Sequence, residues 1–499
     1  MKRLLPLLFL LLPGLMPIAA QTPRLFSDAT YVFERGTTVS NGRFAPFYLS
    51  SGGQGMLSER AHSSYTRAAL LRPTAADSLR RWRLGYGADI AVGSHHDATF
   101  WIQQLYADID YGCWRLSVGS KERPMELKNA ALSSGGLTYS GNARPVPQVR
   151  LAVPLFTAIP GTHGWLAVKG HLAYGMMTDG NWQEEQTGPE GFHARHVLYH
   201  SKAGFLRVGR ADRFPLMFTG GLEMYAQFGG EAWNVQGRAD DPTFDTSHVK
   251  PGHGLSDFIH AFVPGGSDDT DGGFSGKSGN QVGSWHFMLT WQRPTWAIKA
   301  YAEHFFEDES QMFLDYGWKD MLWGVEVNLP RNPIADAIVY EYLHTTDQSG
   351  GIYHDATPNY GEQISGRDNY YNHGIYVGWA HWGQAMGNPL LLSPIYNRDG
   401  TLTFHHNRVT AHHLAFSGSP AARWHYRVKM SHLRSLGTYA QPLTTPAYAR
   451  PLMVEAGYDL PLSHRRLWQF GLSFGYTGGT LMGENTGAML TIRRTGHLF

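Results

Sequence analysis

The sequence predicts an all-β protein, a transmembrane antiparallel β-barrel of about 18 strands with non-strand segments in or under the lumen and long extracellular loops. Apolar and polar residues alternate in many runs of ~9–11 residues, enough to cross a bilayer when a strand is tilted. Aromatic residues make up 13% of the chain and 58 residues are glycine, which suits pleated surfaces, interfacial girdles and turns. After the first residues, no stretch approaches the ~20 apolar residues of a transmembrane helix.

The first 20 residues predict a secretory signal peptide. Lys2 and Arg3 precede the apolar run Leu4–Leu12, and Ala20 ends a plausible cleavage site, so we expect the mature chain to begin at Gln21. A membrane anchor is the alternative, but the apolar run is too short to span a bilayer. We therefore expect residues 1–20 to be removed on export, leaving a single outer-membrane barrel domain over residues 21–499.

The predicted strands follow one another along this domain. In the run near the C-terminus, Trp468, Phe470 and Leu472 alternate with Gln469 and Gly471, as in a strand with one apolar face. We expect residues 21–58 to supply a periplasmic portion and early strands. Comparable alternation occurs at 82–92, 104–111, 216–228, 285–292, 323–329, 423–430, 452–460 and 488–493. A secreted protein built of β-sandwiches shows the same period and is the alternative.

The lengths of the connections predict the orientation of the barrel, because outer-membrane barrels have short periplasmic turns and longer extracellular loops. The short connections are 292–295, 330–333 and 461–465, and the long ones are 229–283, 303–320, 345–372 and 434–450. Between residues 345 and 404, the strand directions counted from the two ends of the chain disagree. The number and direction of the strands there stay open.

Residues 119–150 lack the alternation and are basic, with glycine-rich interruptions. Irregular backbone cannot face lipid, because its N–H and C=O groups would be unpaired. We predict a structural plug or shelf, with Arg123, Asn142, Arg144 and Arg150 as its key residues. Basic side chains in a lumen need acidic partners, and the carboxylates expected to face inward are Asp89, Asp108, Asp110, Glu223 and Glu326.

Composition and motifs argue against several functions. The 42 Lys and Arg residues nearly balance the 41 Asp and Glu residues, which argues against a nucleic-acid partner. We expect no metal site, because adjacent histidines such as His412 and His413 point to opposite faces of a strand. There is no G-x-S-x-G or H-E-x-x-H motif, so we expect a non-enzymatic protein without a cofactor. A catalytic triad assembled from distant loops stays open.

Aromatic residues in the long loops lie among acidic and amide side chains. The flat face of an aromatic ring stacks on a sugar, while neighbouring polar groups bind its hydroxyls. Packing within the loops is the alternative for any single ring. The carbohydrate-binding candidates are Phe313, Asp315, Tyr316, Trp318, Tyr353, Tyr360 and Tyr370.

Short stretches along nearly the whole chain carry a family resemblance. They include the sequence APFYLS at 45–50, QQLYAD at 103–108, GSKERP at 119–124, LSSGG at 132–136 and GNARPVPQ at 141–148. Others are KGHLAYG at 169–175, TDGNW at 178–182, GNPL at 387–390 and SPIYN at 393–397. In this order they resemble the capsule assembly Wzi family, in the form found among Bacteroides-like bacteria.

The resemblance implies a monomeric barrel in the outer membrane of a Gram-negative bacterium, surrounded by lipid and lipopolysaccharide. Such a protein would act as a lectin that binds capsular polysaccharide or exopolysaccharide at the cell surface and helps to attach and assemble the capsule. A porin-like channel for sugars or other solutes is the alternative, because both functions need the same wall. The resemblance does not identify the polysaccharide or the residues that contact it.

Overall fold

Eighteen antiparallel strands form a closed barrel in the computed structural model, which confirms the predicted fold class. The structure describes residues 26, 28–235, 245–263, 279–307, 312, 319–354, 364–463 and 465–498, without the side chains of 349–354 and 364–367. Each strand pairs with its neighbours in the chain, and the first and last strands close the barrel from Thr30–His497 to Ser40–Gly487.

The strands are numbered in chain order. They are β1 Thr30–Phe44, β2 Arg60–Arg72, β3 Trp82–Ser94, β4 Phe100–Tyr111, β5 Trp114–Ser120, β6 Gln148–Ala158, β7 Leu166–Met176, β8 Leu198–Val208 and β9 Leu216–Phe228. The second half comprises β10 Asn280–Gln292, β11 Ala297–Glu307, β12 Met321–Asn328, β13 Ala337–His344, β14 Val409–Ala421, β15 Trp424–Gly437, β16 Pro442–Ser463, β17 Arg466–Gly478 and β18 Asn485–His497.

The outer face of the barrel is apolar. Ile109 pairs with Leu116 and Leu151 with Leu172 across neighbouring strands, and all four side chains are exposed. Their sequence neighbours point the other way, because successive side chains of a strand alternate between its faces. The inward face carries buried carboxylates at 89, 108, 110, 223, 303, 326 and 341. An apolar outside and a polar inside are the arrangement expected of a barrel in a membrane.

The two ends of the barrel differ. At one end, the short-turn end, the connections include 112–113, 293–296 and 422–423, and the other end, the long-loop end, carries 45–59, 121–147, 177–197, 229–279 and 345–408. By the asymmetry of outer-membrane barrels, the short-turn end faces the periplasm. Part of the segment assigned to the periplasm, residues 45–59, therefore lies at the opposite end. The predicted loop 434–450 is wrong, because β15 and β16 occupy most of it.

The region where the predicted strand directions disagreed contains no barrel strand among its described residues. Barrel strands β13 and β14 are adjacent, so 345–408 is one long connection. Its elements are the short strand pairs Ser349–His354 with Ile364–Arg367, Asn372–His373 with Val377–Gly378, and Ala380–His381 with Gln384–Ala385, and a 3-10 helix at Pro394–Tyr396. Most of its described side chains are buried, and the apolar residues needed for this burial resemble those of a strand.

The remaining elements are short. They are 3-10 helices at Phe47–Leu49 and Thr74–Asp77, α-helices α1 Gly180–Thr187 and α2 Leu255–Phe262, and a small sheet of His193–Arg195, Glu231–Trp233 and His248–Val249. Within the described ranges, no helix is both long enough and apolar enough to cross a membrane.

Candidate functional site: the luminal plug and its outer face

Four connections from the long-loop end fold into the barrel and pack on one another. We call residues 45–59, 121–147, 177–197 and 369–407 the luminal plug. Its apolar centre contains Leu137, Tyr371 and Trp379, each 0% exposed, and it continues into Phe47 and Trp182. Apolar side chains from distant parts of the chain thus form a core inside a polar wall.

Two buried carboxylates of the wall hold the plug. Glu303 on β11 binds the Lys128 ammonium and accepts hydrogen bonds from the backbone N–H groups of Leu137 (2.7 Å) and Thr138 (3.3 Å). The contacts satisfy both oxygens of a charge that would otherwise be costly to bury. Glu303 therefore fixes the plug to the β11 side of the barrel.

The second wall carboxylate is Glu341 on β13. It accepts hydrogen bonds from the Ser133 hydroxyl (2.6 Å) and the Ser134 backbone N–H (2.7 Å). The Tyr301 hydroxyl on β11 donates to it as well (2.6 Å). Glu303 and Glu341 together hold residues 128–138, the middle of the segment between β5 and β6.

The basic segment predicted at 119–150 is slightly shorter in the structure. Residues 121–147 lie between β5 and β6, and Arg150 belongs to β6. The Asn142 amide donates to the Ala385 carbonyl (3.0 Å). Arg123 donates to the Lys121 carbonyl (3.1 Å), and burial, with a smaller effect of the Arg150 charge, lowers the pKa of Arg123 to about 10.

The carboxylates expected to face inward are all buried, but only Asp108 pairs with a basic residue of the plug, Lys121. The others have partners on the wall, which are Arg67 for Asp89, Arg115 for Asp110, Lys299 for Glu326 and Tyr225 for Glu223. The plug is held instead by Glu303 and Glu341. Sequence alternation predicted which carboxylates face inward, but not which contact the plug.

The two long plug segments, 121–147 and 369–407, are joined by hydrogen bonds. The Ser140 hydroxyl donates to the Gly387 carbonyl (2.6 Å), and the Trp379 indole donates to the Thr138 carbonyl (2.8 Å). The Asn388 amide donates to the Gly135 carbonyl (2.8 Å). Several stretches that carry the family resemblance, 132–136, 141–148 and 387–390, therefore meet at this contact.

The outer face of the plug presents Trp382 on a strained turn. His381 pairs with Gln384, so Trp382 and Gly383 form a two-residue turn, with φ of 54° and 69°. Turns with two positive φ values favour Asn-Gly, and a bulky residue at positive φ is an outlier. At Gly383 a Cβ atom would lie 2.4 Å from the Trp182 ring. Such strain persists where the surrounding structure enforces it, often at ligand sites.

The turn is held in place by polar contacts. The Trp382 backbone N–H donates to Asp179 (2.8 Å), and a ring nitrogen of His381 lies 2.8 Å from the Arg144 carbonyl. The Trp382 side chain is half-buried, and its ring centroid lies 6.1 Å from that of Trp182. Part of an indole ring is thus exposed at a fixed position.

Arg144 lies beneath this ring. Its guanidinium carbon is 4.5 Å from the Trp382 ring centroid and 4.8 Å from that of Trp101, and it pairs with Asp97 (2.7 Å). Burial raises the pKa of Asp97 and lowers that of Arg144, while their ion pair favours both charged forms. We call Asp97, Trp101, Arg144, Trp182 and Trp382 the outer cluster. A partly exposed indole beside ionised groups suits a sugar, whose C–H face stacks while its hydroxyls bind polar atoms.

None of the loop candidates for carbohydrate binding is a member of the outer cluster. Five of them, Phe313, Asp315, Tyr316, Trp318 and Tyr360, lie outside the described residues, as does the side chain of Tyr353. The structure places Tyr370 in the core, 0% exposed, with its hydroxyl donating to Asp320 (3.1 Å). Its ring offers no surface to a sugar in this structure.

Sequence analysis missed the outer cluster. Its members come from four parts of the chain, and Trp-Gly is not a usual sequence for a two-residue turn. The sequence signal for this turn was short: Gly383 follows Trp382, and the polar residues His381 and Gln384 flank the pair.

Within the described part of the chain, no group of three or more His, Cys, Asp or Glu residues could hold a metal ion. The acidic stretch 268–271, whose carboxylates could bind Ca²⁺ or simply form a solvated loop, lies outside that part.

Acid is expected to loosen the plug. Burial lowers the pKa of His373 to about 4, and its Nδ1 accepts hydrogen bonds from the N–H groups of Ile375 (3.0 Å) and Tyr376 (3.3 Å). The unfolded chain, with a histidine pKa near ~6.5, binds more protons between these two values. The stabilisation is complete above about pH 6.5 and is lost as pH falls towards 4, by roughly 1–3 kcal/mol.

Trp fluorescence and protease sensitivity between pH 7 and 4 would measure this loosening. His373→Asn, which keeps an acceptor but does not titrate, should reduce the response to acid. The exposed His95→Asn is the control and should leave it unchanged. An equal acid response in wild type and His373→Asn would contradict the assignment.

A closed barrel with an apolar outer face, short turns at one end and long connections at the other is an outer-membrane β-barrel. The structure is similar to that of Wzi from Escherichia coli, an outer-membrane protein involved in group 1 capsule assembly and a carbohydrate-binding β-barrel. The TM-score is 0.56 at 12% identity, over 94% of this chain and 84% of Wzi. At this identity the likeness is evidence for the fold alone.

Two structures from Pseudomonas aeruginosa also match. OccK5 has a TM-score of 0.46 at 9% identity, over 95% of this chain and 98% of OccK5. OprD has a TM-score of 0.44 at 7% identity, over 95% of this chain and 96% of OprD. No protein-family model and no curated protein sequence matches the chain.

Proposed function

We propose that this outer-membrane barrel binds capsular polysaccharide or exopolysaccharide at the cell surface and helps to attach and assemble the capsule, without catalysing a reaction. The observation that carries the proposal is the half-buried Trp382 ring, held on a strained turn at the outer face of the plug. Rigid aromatic rings are favourable anchors for a sugar because few torsions must be fixed on binding. The fold that the chain shares with Wzi is consistent with the proposal.

The filled lumen is a second support. The plug shares a continuous apolar core with the inner side of the wall and is bound there by Glu303 and Glu341. A protein that binds a polymer outside the cell needs a rigid surface there and no open passage. We propose that the barrel acts as a monomer, with its apolar outer face in contact with the lipid and lipopolysaccharide of the membrane.

A solute channel is the second candidate function. A cavity of about 400 Å³ lies beside the plug and is lined by charged and hydroxyl side chains from the wall. Conductance in a planar bilayer separates the two functions. The binding proposal expects little conductance together with retention of the polysaccharide of the native cell. Large steady conductance without such retention would favour the channel.

Replacing Trp382 tests the proposed binding surface directly. Trp382→Asn removes the ring but keeps the turn, because Asn-Gly is the preferred sequence for two positive φ values. We expect affinity for the native polysaccharide to fall by about 1–3 kcal/mol, roughly tenfold or more, as for the truncation of an aromatic anchor. Binding can be measured by retention of labelled polysaccharide on the purified full-length protein.

The matched control is Trp165→Ala, which removes an exposed indole at the short-turn end. It should leave binding unchanged. Equal affinity of wild type and a folded Trp382→Asn variant would place the binding surface elsewhere. Turnover of envelope glycans or lipids by the purified protein would contradict the non-catalytic part of the proposal.

A further inference from the structure

The cavity beside the plug has a defined position in the barrel. Its walls come from β1 and β2 and from β15 to β18, and plug residues within 48–57 and 125–142, with Pro389, form the other side. Glu34, Lys429 and Arg493 lie in the half of their strands that adjoins the short-turn end. At the edge nearest that end, His425 lines the cavity and is exposed. The cavity is therefore reached from the end opposite the outer cluster.

The charges around the cavity do not balance. Its lining holds three basic residues, Arg427, Lys429 and Arg493, and two acidic residues, Glu34 and Glu455. The acidic residues are both used, because Glu34 pairs with Arg493 and Glu455 with Arg427 (3.0 Å). Lys429 is the basic lining residue that forms an ion pair with neither of them.

Lys429 forms no ion pair with a carboxylate in the described part of the chain. Its ammonium donates to the Ser133 carbonyl (3.1 Å) and lies 4.9 Å from the centroid of the Tyr48 ring. A backbone carbonyl and an aromatic face orient an ammonium group but do not neutralise it. Charges taken out of bulk water are normally paired, so Lys429 favours a negatively charged ligand in the cavity.

The neutral groups of the cavity are suited to a polyol. Hydroxyl and amide side chains of Ser51, Gln469, Ser473 and Thr491 line it. Each donates a hydrogen bond within the protein, which leaves its oxygen to accept from a ligand hydroxyl. Nearby, the Nε of Arg427 is buried without a hydrogen-bond partner. A volume of about 400 Å³ falls within the range of small-molecule sites. The lining combines one unpaired cation with many hydroxyl-binding groups.

We propose that this cavity is a second binding site, which takes a small hydroxylated organic anion of the sugar-acid class from the short-turn end of the barrel. The carboxylate of the ligand binds the Lys429 ammonium, and its hydroxyl groups donate hydrogen bonds to the oxygen atoms of the serine, threonine and glutamine side chains. The site does not depend on the proposed surface function, because it uses none of the residues of the outer cluster.

Calorimetric titration of the purified full-length protein in detergent tests this site, with glucuronate and glucose as probes. We expect glucuronate to bind at least tenfold more tightly than glucose, and Lys429→Met to remove that preference. Lys299→Met is the matched control, because Lys299 is also on the inner wall but pairs with Glu326. It should bind glucuronate as the wild type does.

Two further measurements test whether the positive charge of Lys429 is what selects the ligand. Lys429→Arg, which keeps the charge, should retain the preference for glucuronate. The affinity of the wild type for glucuronate should also fall in high salt, a measurement that needs no variant. Equal binding of glucuronate and glucose by the wild type, or salt-independent affinity, would overturn the proposal. Trp382→Asn should bind glucuronate normally, which separates a failure of this site from a failure of the surface proposal.

Discussion

Replacing Glu303 with alanine is expected to release the plug from the β11 side of the barrel. The change removes the acceptor for two backbone N–H groups and leaves the Lys128 ammonium buried without its partner. Removal of one partner of a buried ion pair costs about 3–5 kcal/mol. We expect larger and more frequent conductance steps in a planar bilayer, and faster protease cleavage within residues 121–147.

Two variants control the Glu303 experiment. Glu326→Ala removes a buried carboxylate that pairs with Lys299 on the wall and not with the plug. It should leave conductance unchanged. Lys128→Met combined with Glu303→Leu replaces the pair by apolar groups and should recover part of the lost stability, because removing both charges avoids an unpaired one. If Glu303→Ala matched the wild type in conductance and cleavage, the plug would be held by other contacts.

Replacing Arg144 with methionine is expected to disorganise the outer cluster. Asp97 would lose its ion-pair partner, and the Trp101 and Trp382 rings would lose the cation between them. We expect a loss of about 3–5 kcal/mol in local stability and at least a tenfold loss of polysaccharide affinity. Arg144→Lys should be intermediate, since an ammonium keeps the charge but cannot stack as a planar group.

Binding of labelled polysaccharide, with protease cleavage as the measure of local order, would test the role of Arg144. The matched control is Arg60→Met, which removes an exposed arginine at the same end of the barrel. It should have little effect on either measurement. Full binding by a folded Arg144→Met variant would show that the position of Trp382 does not depend on Arg144.

The strands of the wall could be predicted from the sequence, because the alternation of apolar and polar residues indicates which side chains point into the barrel. Trp468, Phe470 and Leu472 lie on the lipid-facing side of β17, as the period of two requires. The same signal failed at 345–404. Ile375, Tyr376 and Trp379 are buried in the plug, and an apolar run cannot distinguish burial inside a lumen from burial in a wall. The loop predicted at 434–450 is the opposite error, since most of it lies in β15 and β16, and β16 contains prolines at 442, 446 and 451, a residue that is uncommon inside strands.

The outer cluster was beyond sequence analysis for a different reason. Arg144 could be recognised as unusual, because the segment around it is basic and irregular. Its contacts with Trp101 and Trp382 join residues more than forty and two hundred positions apart. One sequence carries no information about such pairs. The strain at Trp382 is likewise a property of the folded turn, since Trp-Gly alone does not specify a positive φ.

The path of the chain through the plug has a mechanical consequence. All four plug segments leave the wall at the long-loop end and return to it at the same end, so none of these segments passes through the lumen and out at the other mouth. The plug is therefore not threaded through the barrel. It is tethered to one rim only, and it can move outward as a unit without cutting or knotting the chain. The connections themselves do not oppose such a movement, so resistance to it rests on the contacts with the wall, above all those of Glu303 and Glu341.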